Sequence, residues 1–86
     1  MKEFKDLEFE ENSQLIGIQA KMKFENGWGV SVIKSKWSYG GDEGLYEMAV
    51  LDKDGYISYN SGVIADVAGY LTEEMVTEFM RKVQEL

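Results

Sequence analysis

From Ile16 to Phe24, apolar and polar residues alternate without a break. Ile16, Ile18, Ala20, Met22 and Phe24 share one side, and Gln19, Lys21 and Lys23 the other. A period of two puts these sets on opposite faces of a strand with one face buried. The next residues, Glu25-Asn26-Gly27, suit a hairpin loop built on a type I turn and closed by a left-handed glycine. That loop pairs Phe24 with Trp28, Met22 with Val30 and Ala20 with Val32, apolar with apolar. A tighter Asn-Gly turn would set Met22 opposite Ser31 and Val30 beside Lys23, so the pattern selects the longer loop.

The partner strand begins on even numbers, Trp28, Val30 and Val32, then changes to odd ones, Ile33, Trp37 and Tyr39. A phase change inside a strand predicts a bulge, here near Ile33. Ser38 to Gly44 reads as a glycine-rich loop, and residues 45–51 as a central strand, apolar on both parities apart from Glu47. Asp52-Lys53-Asp54-Gly55 is a second hairpin turn, leading to a short strand over Tyr56-Ile57-Ser58-Tyr59. Residues 60–71 suit either a short helix or a packed loop. Thr72 then caps a helix that carries Glu73 and Glu74 at its positive end and Arg81 and Lys82 at its negative end. Met75, Val76, Phe79, Met80, Val83 and Leu86 recur at helical spacing.

These elements predict an α+β fold: an antiparallel sheet of four to five strands, built from β-meander hairpins, with one C-terminal helix packed on one face. The expected core takes Phe24, Val30, Val32, Met48, Val50, Val76, Met80 and Val83. It also takes Ile16, Ile18, Met22, Trp37, Leu45, Ile57 and Phe79. The whole chain, 1–86, reads as a single domain.

Residues 1–13 are the most acidic stretch, with five acids against two lysines in the first twelve residues. As a strand over residues 4–10 this stretch would align Asp6, Glu8 and Glu10 on one face, spaced by roughly 6.7 Å. A frayed acidic arm is the alternative.

Composition removes whole classes of chemistry. The chain has 86 residues, a net charge of −7, and no cysteine, histidine or proline. Without cysteine there is no disulfide framework, thiolate nucleophile or thiolate metal site. Without histidine the usual general base is gone. The charged N-terminus lacks an apolar segment of signal-peptide or membrane-span length, which predicts a cytoplasmic protein with no membrane contact. Catalysis would need carboxylates, Tyr or Lys with a bound metal, and the expectation is a non-enzyme without cofactor.

Local motifs add little catalytic promise. Asp52-x-Asp54-Gly55 has its glycine in the wrong place for an EF-hand loop, so it reads as a turn. Gly40-Gly41-x-x-Gly44 precedes a strand and carries Asp42 and Glu43, which repel phosphate. Lys21, Lys23, Lys34 and Lys36 beside Trp28 and Trp37 sketch a single-strand nucleic-acid platform. The overall negative charge, and the expectation that both tryptophans are core residues, argue against direct nucleic-acid binding. An ordered row of Asp6, Glu8 and Glu10 would instead imitate a phosphate backbone. Five tyrosines in so short a chain point to a protein-binding surface. The candidate binding residues are therefore Asp6, Glu8, Glu10, Trp37, Tyr39, Gly40, Gly41 and Tyr46. The partners expected are a protein or a second copy of the chain. The alternative is a small molecule sequestered in a pocket at an oligomer interface, rimmed by Tyr39, the Gly40-Gly41 turn and Tyr46.

Three stretches carry a resemblance. They are Phe24-x-Asn26-Gly27-Trp28-Gly29-Val30-Ser31-Val32, Ser38-Tyr39-Gly40-Gly41-Asp42-x-Gly44-Leu45-Tyr46-Glu47-x-Ala49-Val50-Leu51, and Asp66-Val67-x-Gly69-Tyr70-Leu71-Thr72. Together they resemble small accessory or hypothetical proteins of tailed bacteriophages, usually of unassigned function, over residues 22–80. The resemblance implies an infected bacterial cytoplasm and a host protein, such as a defence system, as the target. It transfers no site residue.

Overall fold

The computed structural model describes all residues, Met1–Leu86. A 3-10 turn at Phe4–Asp6 is followed by β1 (Glu10–Asn12), β2 (Gly17–Lys23) and β3 (Gly29–Ser35). A second 3-10 turn at Gly41–Glu43 then leads to β4 (Tyr46–Leu51), β5 (Ala68–Leu71) and α1 (Glu73–Gln84). The strands form one five-stranded antiparallel sheet in the order β1-β2-β3-β4-β5. Two layers result, sheet and helix, as the alternation and the helical spacing require.

The first hairpin has the expected register. Ala20 pairs with Val32 and Met22 with Val30, and the Phe24 amide donates to Trp28 O at 2.7 Å. Gly27 sits at φ +91°, the left-handed position that closes the loop. Val32 pairs onward with Met48, and Val30 with Val50. Even-numbered residues therefore point to one face, and α1 covers it. Val30, Val32, Met48, Val50, Val76, Met80 and Val83 are fully buried there. Each such side chain contributes about 1.5–3 kcal/mol by leaving water.

Asn26 links the hairpin to the helix. Its Oδ1 accepts from the Trp28 amide at 3.1 Å, and its Nδ2 donates to the Val83 carbonyl at 2.9 Å. The Val83 carbonyl, at the end of α1, also accepts from the Leu86 amide at 3.2 Å, so Asn26 adds a second donor to it. At the other end, Thr72 Oγ1 accepts from the Met75 amide at 3.2 Å, the N-cap expected. On the exposed side of α1, Arg81 bridges Glu78 and Glu85. Its hydrogen bond holds the Glu78 carboxyl below its ordinary pKa and raises that of Arg81. A carboxyl held low in the folded state adds stability above its ordinary pKa, and loses it as pH falls through the lowered value. Both side chains are in solvent, so the effect is small.

Two expectations about the strands change. The bulge predicted near Ile33 is absent, since β2 and β3 pair without interruption from Gly17↔Ser35 to Lys23↔Gly29. The parity changes because β3 ends at Ser35, leaving Trp37 and Tyr39 in the loop beyond it. The irregularity lies in β5, where four residues span the three of Tyr46–Met48 and Tyr70 takes φ +57°. Tyr56–Tyr59 is not a full strand: Ile57 makes one bridge to Leu51, and the Ser58 amide donates to Val50 O at 2.8 Å. The chain then leaves this edge of β4, drops Ile64 into the core, and returns to the same edge at Ala68. The edge strand is thus one strand interrupted by an arch.

The core expectation is corrected at the same places. Ile16, Trp37 and Ile57 are exposed, and Ile18, Met22, Leu45 and Phe79 are half-buried. The N-terminal stretch is neither a strand over residues 4–10 nor a frayed arm. Leu7 is buried, and the rings of Phe4, Phe9 and Tyr46 meet with centroids 5.0–5.6 Å apart. The Phe4 amide donates to Thr77 Oγ1 at 2.9 Å, fastening the segment to α1.

Met80→Ala should lower the unfolding free energy by about 2–5 kcal/mol in urea titration. Phe79→Ala should lose less, because its ring is only half-buried. Equal losses would contradict this placement of the helix.

Candidate functional site

One end of the sheet gathers the starts of β2 and β4 and the ends of β3 and β5. The loop of residues 36–45 crosses it and is tied down on every side. The Ser35 amide donates to Ser38 Oγ at 2.8 Å, and that hydroxyl donates back to Ser35 O at 3.0 Å. The Trp37 amide donates to Ser35 Oγ at 3.2 Å. Laterally, the Lys36 amide donates to Ile16 O at 3.2 Å and the Tyr70 amide to Tyr39 O at 3.1 Å. The Tyr39 amide donates to Glu47 Oε1 at 3.0 Å.

Two glycines make this course possible. A Cβ on Gly41 would lie 1.9 Å from Ser35 O. Gly40 has φ +92°, and a Cβ there would sit 2.9 Å from Tyr70 Cα. Across the loop, Gly69 leaves the space that Tyr39 fills, since a Cβ on Gly69 would be 2.4 Å from Tyr39 Cβ. The backbone is packed, and the large side chains are turned outward. Trp37 is 69% exposed, Tyr39 60%, Tyr70 54% and Ile16 57%.

Ile16 and Tyr70 are also the only non-glycine residues with positive φ, at +52° and +57°. The left-handed region costs an L-residue about 1–2 kcal/mol, and a β-branched side chain there is an outlier. Neither residue recovers that energy by burying its side chain. Both flank the Lys36–Tyr39 segment: Ile16 accepts from the Lys36 amide, and the Tyr70 amide donates to Tyr39. Strain of this kind clusters at active sites, ligand clamps and switch regions.

The expected site residues divide between this end and the rest of the molecule. Trp37, Tyr39, Gly40 and Gly41 come together here. Tyr46 is buried on the helix-facing side under Phe4 and Phe9, with the Lys34 ammonium 5.0 Å from its ring centroid. It rims no surface site. Asp6 lies in the first 3-10 turn, where Oδ2 accepts from the Glu3 amide at 2.8 Å. Glu8 lies in the link that follows, and Glu10 opens β1. The acidic row therefore does not form. Phe4, Leu7 and Phe9 all turn toward the core, and their spacing does not fit an alternating strand. The lysines divide too: Lys21 and Lys23 share one sheet face, Lys34 lies over Tyr46 on the other, and Lys36 lies beyond β3.

Sequence reasoning missed Ile16, Gly69 and Tyr70. Ile16 looked like core because it continues the alternation of β2, but the strand starts one residue later. Nothing in the local sequence marks Tyr70 as left-handed.

No group of three or more acids is arranged to hold a metal ion. A cavity of about 660 Å³ lies beside the termini, near Lys2, Lys5, Lys23 and Glu25. Shallower ones of about 370 and 680 Å³ lie near Lys21 and Asp52, and near Glu11 and Ile18. None of the three is lined by Tyr39, Gly40, Gly41 or Tyr46. Asp52 of the hairpin turn already accepts the Asp54 and Tyr56 amides on Oδ1, at 2.9 and 3.0 Å. No helix is long and apolar enough to cross a membrane.

Replacing Ile16 by glycine should raise stability by up to about 1 kcal/mol, because relief of left-handed strain outweighs the entropy glycine adds to the unfolded chain. Gly41→Ala should lower it by about 1–3 kcal/mol through the clash with Ser35 O. Thermal unfolding of both variants checks this, and a clear loss with Ile16→Gly would contradict it. No protein-family model matches this chain, and neither does any curated protein or solved structure.

Proposed function

We propose that this chain is a non-catalytic binding protein whose aromatic end, Trp37, Tyr39 and Tyr70, seats a protein partner. The observation that carries the reading is the pairing of exposed rings with local backbone strain. Outward-facing Trp and Tyr are large, stiff and amphipathic, and lose little conformational freedom on binding. Tryptophan and tyrosine clustered on a tied-down loop, with a left-handed residue on each side, form a preorganised surface. Following the resemblance of the three quoted stretches, we place it as a phage-type accessory factor that acts on a host protein in the bacterial cytoplasm. Recognition runs through rings, since Asp6, Glu8 and Glu10 form no phosphate-like row.

Tagged protein should capture a partner from bacterial lysate. Trp37→Ala with Tyr39→Ala should abolish capture with little change in melting temperature, because both rings are exposed. Tyr56→Ala with Tyr59→Ala, which removes exposed rings outside this end, should leave capture intact. Capture that survives the first pair or disappears with the second would refute the reading.

A further inference from the structure

We infer that the partner offers this end a cationic segment bearing arginine. The inference rests on the aromatic end being the partner surface, and it specifies the chemistry that surface takes.

The charge of this end favours a cation. Asp42 and Glu43 lie in the 3-10 turn Gly41–Glu43, which directly follows Tyr39-Gly40 and is held between left-handed glycines at 40 and 44. Glu73 and Glu74 open α1, just beyond Tyr70 and Leu71. All four are exposed. None is ion-paired, because the only salt bridges in the molecule are those of Arg81 with Glu78 and Glu85. Glu73 and Glu74 also face the positive end of the helix dipole. Asp42 and Glu43 have no such compensation, so they are the pair most available to an incoming cation. Lys36 is the loop's only cation.

Trp37 itself favours the same partner. The Lys36 ammonium sits 5.1 Å from its ring centroid. The indole therefore already holds a cation, supplied by its exposed neighbour. An arginine is better suited to that place than a lysine. Its planar guanidinium stacks on an aromatic face, is more weakly hydrated, and can bond a carboxylate in bidentate fashion at the same time. Rings to stack on and free carboxylates close by in the chain answer both needs. A nucleic acid or anionic lipid would meet repulsion from the same acids, and a wholly apolar partner would leave them unpaired. The net charge of −7 steers cationic partners toward the chain over longer range.

The test is a nuclear magnetic resonance titration of the chain with octa-arginine, octa-lysine and octa-glutamate peptides. Octa-arginine should bind most tightly and shift the Trp37 indole N–H, leaving that of half-buried Trp28 in place. Asp42→Asn with Glu43→Gln should weaken its binding by about 3- to 10-fold, as the loss of two exposed charge contacts implies. Lys36→Ala should strengthen it by freeing the ring. Equal binding of octa-arginine and octa-lysine, with Trp37 unmoved, would overturn the inference as mere charge attraction. If octa-arginine fails to bind while Trp37→Ala with Tyr39→Ala still abolishes lysate capture, the arginine inference falls and the partner surface stands. If octa-arginine binds as expected but those variants keep their lysate partner, the cationic site stands and the protein-partner reading falls.

Discussion

Asn26 holds the two layers of this molecule in one arrangement. Its oxygen shapes the turn that sets the β2–β3 register, and its amide group takes a carbonyl from the last turns of α1. The register decides which residues face the helix: a slip of one position would turn Val30 and Val32 outward and bring Ser31 and Ile33 in. The helix cannot bury Val76, Met80 and Val83 unless that face is apolar. The termini close against the same region, where Lys2 and Gln84 exchange two hydrogen bonds of 2.9 Å. One side chain thus couples hairpin geometry to helix docking.

The parts of the fold readable in the sequence were those governed by period and by turn chemistry. The alternation from Gly17 to Lys23, the closing glycine at 27 and the helical spacing after Thr72 each have a local physical cause and appear where expected, whereas Ile16, which continues the pattern, falls outside the strand. The parts that were not readable depend on contacts between distant segments. Phe4, Leu7 and Phe9 look like a ragged strand until Tyr46 and Thr77 are brought beside them. Tyr56–Tyr59 looks like a strand because half of it is: the edge begins at Ile57, is interrupted, and resumes at Ala68.

The candidate site was half legible for the same reason. The glycine loop with Trp37 and Tyr39 stands out in the sequence, but the rule that apolar residues go inside assigned Trp37 to the core. The structure reverses that assignment by ending β3 at Ser35 and using Gly41 to fold the loop back on it. Tyr70 joins the surface only through the irregularity in β5. Local rules fail at Ile16, Trp37 and Tyr70, and these residues gather at one end of the sheet. Departures of this kind are expected at functional or strained sites, and the exposed Ile57 is one that lies elsewhere, beside Leu51.

The central claim is that this end, rather than the rest of the surface, meets a partner. Footprinting of the chain by oxidative labelling, free and with its captured partner, tests that most directly. Trp37, Tyr39 and Tyr70 should lose label on binding while Tyr56 and Tyr59 keep theirs. Protection of Tyr56 and Tyr59 with Trp37 still labelled would contradict it.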